Sequence, residues 1–136
     1  MKEGNIMELL IAFGTDDGVN LNDDHFGMAK YFQVHKFFEE GEEFAEKREN
    51  VKFKGDESLK HGDPEKAKAT SSVLPGIDVL VGKRFGPNLP RLVKKFVCVI
   101  VRTDALKNAI RIIQQNIEKI IEEKNKGENG KHLILK

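Results

Sequence analysis

The chain has a single cysteine, Cys98, no tryptophan, and few arginines: five, against 18 lysines. One cysteine excludes an intrachain disulfide framework and any metal site built from several thiolates. No apolar run approaches the roughly 18 residues that a bilayer span requires, so no membrane-spanning helix is expected. The opening Met1-Lys2-Glu3-Gly4-Asn5-Ile6 lacks the long apolar stretch of a secretory leader, and the expected setting is reducing and cytoplasmic. No serine stands in a Gly-x-Ser-x-Gly frame, which leaves nucleophilic hydrolase chemistry without a candidate. The nucleotide-binding spacing G-x-x-x-x-G-K-[ST] is missing as well. There is no excess of one charge sign either: the net charge is +1, which argues against nucleic-acid binding.

What is present suits one domain. The chain is 136 residues long and 39% of it is hydrophobic, enough for a single sizeable core. Lysine far exceeds arginine, and glutamate exceeds aspartate by 14 to 8, a balance that resembles proteins of hyperthermophiles. The signs are segregated, with 12 acidic and 5 basic residues in positions 1–50, and 10 acidic and 18 basic residues after them. Such asymmetry produces either a dipolar surface or strands whose charges meet in space.

Residues 1–6 read as an extension, 7–124 as the domain, and 125–136 as a tail. Leu9-Leu10-Ile11-Ala12-Phe13, closed by Gly14, predicts a buried strand. A polar loop from Asp16 to Asp24 leads to His25-Phe26-Gly27. Tyr31 to Phe38 alternates as a second strand, placing His35 on its solvated side, and Glu43 to Val51 pairs back as a third. Residues 52–62 form a loop, and Asp63-Pro64 opens a helix reaching Leu74. Ile77 to Gly82 is a strand, Pro87 to Lys95 a short helix, and Phe96 to Val101 a strand covered on both faces. Thr103-Asp104 caps one long helix, whose Leu106, Ala109, Ile110, Ile113, Ile117, Ile120 and Ile121 keep 3-and-4 spacing. His132 to Leu135 could add a late edge strand. The order predicts an α/β fold of ribonuclease-H-like plan: a mixed five-stranded sheet, three strands antiparallel and then two parallel, with about three helices.

Four places could carry chemistry. His25 offers an imidazole, a general ligand for late transition metals and metal–sulfur clusters, on a polar loop. The plain alternative there is that Phe26 enters the core and Gly27 makes a turn. Gly82-Lys83-Arg84-Phe85-Gly86-Pro87-Asn88 joins a strand to a helix start, with free N–H groups and two cations fit to cradle an anion. A simple strand-to-helix turn is the alternative. Asp16, Asp17, Asp23 and Asp24 do not match a calcium loop, because no glutamate falls at the required position. Cys98 lies in an apolar run and reads as an inert buried thiol.

Taken in order, Ile11-Ala12-Phe13, the Asp/Asn loop, His25-Phe26-Gly27-Met28-Ala29-Lys30-Tyr31-Phe32, Arg48-Glu49-Asn50, His61-Gly62, Ile77 to Gly82 and Phe85-Gly86-Pro87-Asn88 resemble the dinitrogenase iron–molybdenum cofactor biosynthesis family. This is the small domain shared by NifX, NafY and the C-terminal part of NifB. The resemblance implies a ribonuclease-H-like fold without nuclease carboxylates. It also implies a non-enzymatic carrier of an anionic metal–sulfur cluster, passed between donor and recipient proteins. His25 then matches the family's implicated histidine as metal ligand, and Phe26, Gly27, Lys83, Arg84 and Asn88 would complete the transient cluster site. Two other readings stay open. One is a metal-dependent phosphodiesterase or nucleic-acid enzyme of the same fold, using Asp16, Asp17 and Asp78. The other is a homodimeric interaction module built on helix 104–123 or an edge strand.

Overall fold

The computed structural model describes residues 8–50 and 74–136. The N-terminal extension, the loop 52–62, the helix opening at Asp63 and His61 lie outside the described residues. The sheet is mixed and ordered β3-β2-β1-β4-β5-β6. Its strands are β1 (Glu8–Thr15), β2 (Tyr31–Phe38), β3 (Gly41–Glu49), β4 (Val79–Gly82), β5 (Val97–Val101) and β6 (Leu133–Leu135). The first three form an antiparallel meander, and β1, β4, β5 and β6 run parallel to one another. The sheet therefore has six strands where the sequence predicts five. The tail supplies the sixth because two anchors hold it. Leu135 is buried, and Glu123 accepts the Lys131 N–H at 2.7 Å and binds the Lys126 ammonium at 3.1 Å.

Alternation along the strands sorts the core into two layers. Leu9, Ile11, Phe13, Phe37, Val79, Val81, Val97, Val99 and Val101 pack on one side. That side is covered by α2 (Leu106–Gln115) and α3 (Ile117–Lys124) through Leu106, Ala109, Ile112, Ile113 and Ile120. Ala12, Phe32, Val34, Leu80 and Cys98 pack on the other side with Phe26, Ala29, Leu74, Phe85 and Leu92, the last from the one-turn helix α1 (Leu89–Leu92). With both faces covered, β4 and β5 are apolar almost throughout, as strands buried on both sides must be. Burial pushes the Cys98 thiol up to about 12, which leaves no thiolate at neutral pH. Among the described residues no helix is long and apolar enough to cross a membrane.

Three local expectations are corrected. The long helix is two helices, broken at Asn116, whose side-chain N–H donates to the Ile112 carbonyl at 2.8 Å. That bond satisfies an orphan carbonyl at the first helix's end. Asp104 does not cap the helix, whose N-cap is Ala105; its carboxylate is taken by Lys83. His35 is buried, not solvated. Its Nδ1 meets Glu42 Oε2 at 2.7 Å and its Nε2 meets Gln33 Oε1 at 3.3 Å. Its ring lies edge-on to Phe13 and Phe44. A bulge that leaves Ala45 of β3 without a partner on β2 sits beside it, the kind of irregularity that bends an edge strand away from further pairing.

Candidate functional site

Because β1 and β4 are parallel neighbours, with Phe13 opposite Val81, the chain leaves both strands at the same end of the sheet. The next residue in each is a glycine, Gly14 and Gly82. A Cβ on either would press against the Phe26 ring, at 3.2 Å from Gly14 and 3.3 Å from Gly82. The two bare backbones thus leave a slot, and Phe26 fills it completely buried. Its ring stacks on Phe32 with centroids 4.8 Å apart and on Phe85 at 5.2 Å, separations in the favourable range for offset aromatic pairs. The Phe26 N–H donates to the Arg84 carbonyl at 2.8 Å. The histidine loop and the loop after β4 are therefore brought together.

Two asparagines brace the turn Phe26–Met28 from either side. Asn22, buried, donates through its carboxamide to the carbonyls of Asp24 at 3.1 Å and His25 at 2.9 Å. Asn50 donates to the carbonyls of Gly27 and Ala29, both at 2.8 Å. His25 stands half-buried on this braced turn. Among the described residues neither of its ring nitrogens has a hydrogen-bond partner. The backbone of this turn is thus fixed while the imidazole nitrogens stay open.

The aspartates of the loop are occupied by the chain itself. Asp16 accepts the Lys30 N–H at 2.8 Å. Asp17 accepts the N–H groups of Val19 and Asn20, both at 2.8 Å, and these bonds, with Asn20 foremost, hold its carboxyl below the usual range. Asp24 accepts the His25 N–H at 2.7 Å. Asp78 lies at the opposite end of the sheet. It accepts the Leu10 N–H at 2.9 Å and sits 3.8 Å from the Lys124 ammonium. From Leu10 to Asp16 the strand rises about 20 Å at roughly 3.3 Å per residue. The structure does not bring Asp16, Asp17 and Asp78 together, and among the described residues no three metal-binding side chains cluster.

The two cations after β4 differ in their surroundings. Lys83 is not the open cation that an anion cradle requires. Its ammonium donates to Asp23 at 2.5 Å and to Asp104 at 2.6 Å, tying the histidine loop to the segment before α2. Arg84 is exposed, and its charge helps to hold the Asp23 carboxyl down, after the larger effect of Lys83. Asn88, half-buried, ends the 3₁₀ turn Gly86–Asn88. Sequence reasoning quotes Asn50, Gly14 and Gly82 within longer motifs and Asn22 within the Asp/Asn loop, but gives none of them its role of bracing the turn or admitting Phe26. A glycine following an apolar run in both β1 and β4 was the trace of the slot.

Replacing Lys83 with methionine is expected to lower the melting temperature and to flatten its acid dependence. Asp23 has a carboxyl pKa below its ordinary 3.8 because Lys83 donates to it. A depressed carboxyl contributes stability in full above its ordinary pKa, and that contribution is lost as pH falls through the folded value. Lys83 is shifted upward, by Asp104 first and Asp23 next, so its contribution fades only in strong alkali. Melting curves between pH of about 5 and 2 should therefore fall more steeply for the parent than for Lys83→Met. Parallel curves would show that the contact carries no stability.

The sequence profile described as "Dinitrogenase iron-molybdenum cofactor" matches residues 7–127. No curated protein matches the sequence. Among solved structures, the chain is similar to a protein of Methanocaldococcus jannaschii provisionally described as a dinitrogenase. The two share 14% identity and a TM-score of 0.55, over 81% of this chain and 91% of that one. At that identity the likeness speaks for the fold.

Proposed function

The chain belongs to the dinitrogenase iron-molybdenum cofactor family, and from that membership we propose that it is a non-enzymatic carrier of an anionic metal–sulfur cluster. The cargo is the iron–molybdenum cofactor, a precursor of it, or a related cluster of molybdenum, iron or copper. The observation that carries this reading is His25, held by a doubly braced turn with both ring nitrogens unbonded among the described residues. An imidazole suits the metals of such clusters, and one protein ligand leaves the rest of the coordination shell for a recipient. Phe26 and Gly27 set the turn. Arg84 supplies attraction for an anion, Asn88 borders the same loop, and Lys83 would join only by exchanging its aspartates. The partners are a cluster donor and a cluster recipient in a reducing, cytoplasmic setting. The meander followed by parallel strands supports the ribonuclease-H-like plan, with residues 7–124 as its body and β6 as an addition at one edge.

Anaerobic incubation with isolated iron–molybdenum cofactor, followed by gel filtration and absorption spectroscopy, tests the reading. The expected result is cluster absorption that co-elutes with the protein and is released to an acceptor. The same preparation with Mg²⁺ or Mn²⁺ should not hydrolyse phosphodiesters. Elution without cluster, or turnover that vanishes in Asp78→Asn, would sink the carrier reading.

A further inference from the structure

Gly86 stands beside the histidine with a left-handed backbone, φ +70. A Cβ built on it would collide with the His25 ring, and the ring atoms that it meets first are Nδ1, Cε1 and Cγ. Contacts this short to three ring atoms at once place that Cβ above the ring, so the imidazole lies with one face against the bare Gly86 backbone. The seat is steric: among the described residues no carboxylate or carbonyl accepts a proton from Nδ1. A histidine ligand is ordinarily oriented by a hydrogen bond at its second nitrogen, which also strengthens it as a donor. Here that device is replaced by a glycine.

We infer that Gly86 is the positioning residue for His25: its bare backbone seats one face of the imidazole and so fixes the direction in which the ring meets the cargo. The ring gains a fixed direction with no hydrogen bond at either nitrogen among the described residues, which fits a ligand that must also let go. The inference deepens the carrier reading and rests on it for the nature of the cargo. The position of the ring does not depend on that reading.

The experiment compares the parent, His25→Ala, Gly86→Ala and Gly127→Ala. Gly127 is the control for backbone strain, since it too has a left-handed φ, +59, but a Cβ on it would meet nothing within 4 Å. The first readout uses cluster-free protein labelled with ¹⁵N in its histidine rings. Gly86→Ala should displace the His25 ring resonances, whereas Gly127→Ala should leave them in place. Titration with Zn²⁺ alone should move the His25 ring resonances of the parent, and should move them less in Gly86→Ala. The second readout is uptake of isolated iron–molybdenum cofactor. Gly86→Ala should lower it about 10- to 100-fold, the range found when a ligand's supporting partner is lost, and Gly127→Ala should not. Unchanged ring resonances in Gly86→Ala, or a Zn²⁺ response as strong there as in the parent, overturn the inference whatever the cargo. Uptake lost in His25→Ala but kept in Gly86→Ala overturns it while the carrier reading stands. Absence of uptake by the parent removes the carrier reading and leaves the ring measurements to decide the rest.

Discussion

His25→Ala is expected to reduce cluster uptake by at least about 100-fold, beyond what loss of a merely supporting residue costs, while the melting temperature stays almost unchanged. No other described residue offers a comparable ligand. His35 is buried and bonded at both nitrogens, and the Cys98 thiol is buried with its pKa raised to about 12. His132 is exposed beside β6, an edge strand. The fold should tolerate the change because the imidazole makes no hydrogen bond among the described residues. Its turn is held by Asn22 and Asn50 through main-chain carbonyls, which alanine retains. A substitution of that kind normally shifts stability by about 0.5 kcal/mol or less. Arg84→Ala should weaken uptake far less and in a salt-dependent way, since an exposed guanidinium contributes only screened attraction. Equal uptake by parent and His25→Ala, at matched protein concentration, would leave the turn as a structural element alone.

How much of this was legible depended on whether the cause was local. Strands β1 and β5 announce themselves as short apolar runs, and β2 as an alternating one. Their positions in the structure follow closely, because burial on both faces leaves little freedom in residue choice. The convergence of the His25 loop with Lys83 and Arg84 was legible only conditionally. It required β1 and β4 to be parallel neighbours, which is a property of topology and not of either loop. His35 was misread because period-two alternation assigns a polar residue to water. In a sheet covered on both sides the same residue can be buried if Glu42 and Gln33 satisfy it. The break at Asn116 was masked by apolar spacing that continues from Ile113 to Ile117 without a gap. The role of Asp104 is set by Lys83, 21 residues earlier, and no local pattern encodes that pairing. Its position before an amphipathic run suits a cap equally well.

Phe26→Ala should be the most destabilising single change at this end of the molecule. The ring is wholly buried between Phe32 and Phe85, and truncating a core phenylalanine costs about 3–5 kcal/mol. The upper part of that range is expected because the vacated space cannot easily close. Two of its walls are the main chain at Gly14 and Gly82, which have no side chain to move inward and are held by pairing of β1 with β4. For a chain of this length the loss corresponds to a fall in melting temperature of roughly 10–20 °C. The consequence for the site separates this residue from its neighbour. His25→Ala removes a ligand and keeps its mount, whereas Phe26→Ala removes the mount and leaves the ligand on a loosened turn. Uptake should then fall together with stability, and lowering the temperature should restore part of the uptake in Phe26→Ala but none in His25→Ala. Phe26→Leu, which refills most of the slot, should recover much of both. A melting temperature in Phe26→Ala within about 2 °C of the parent would mean that the stacked rings do not hold the loop down. Placement of His25 would then have to come from Asn22, Asn50 and the Gly86 seat.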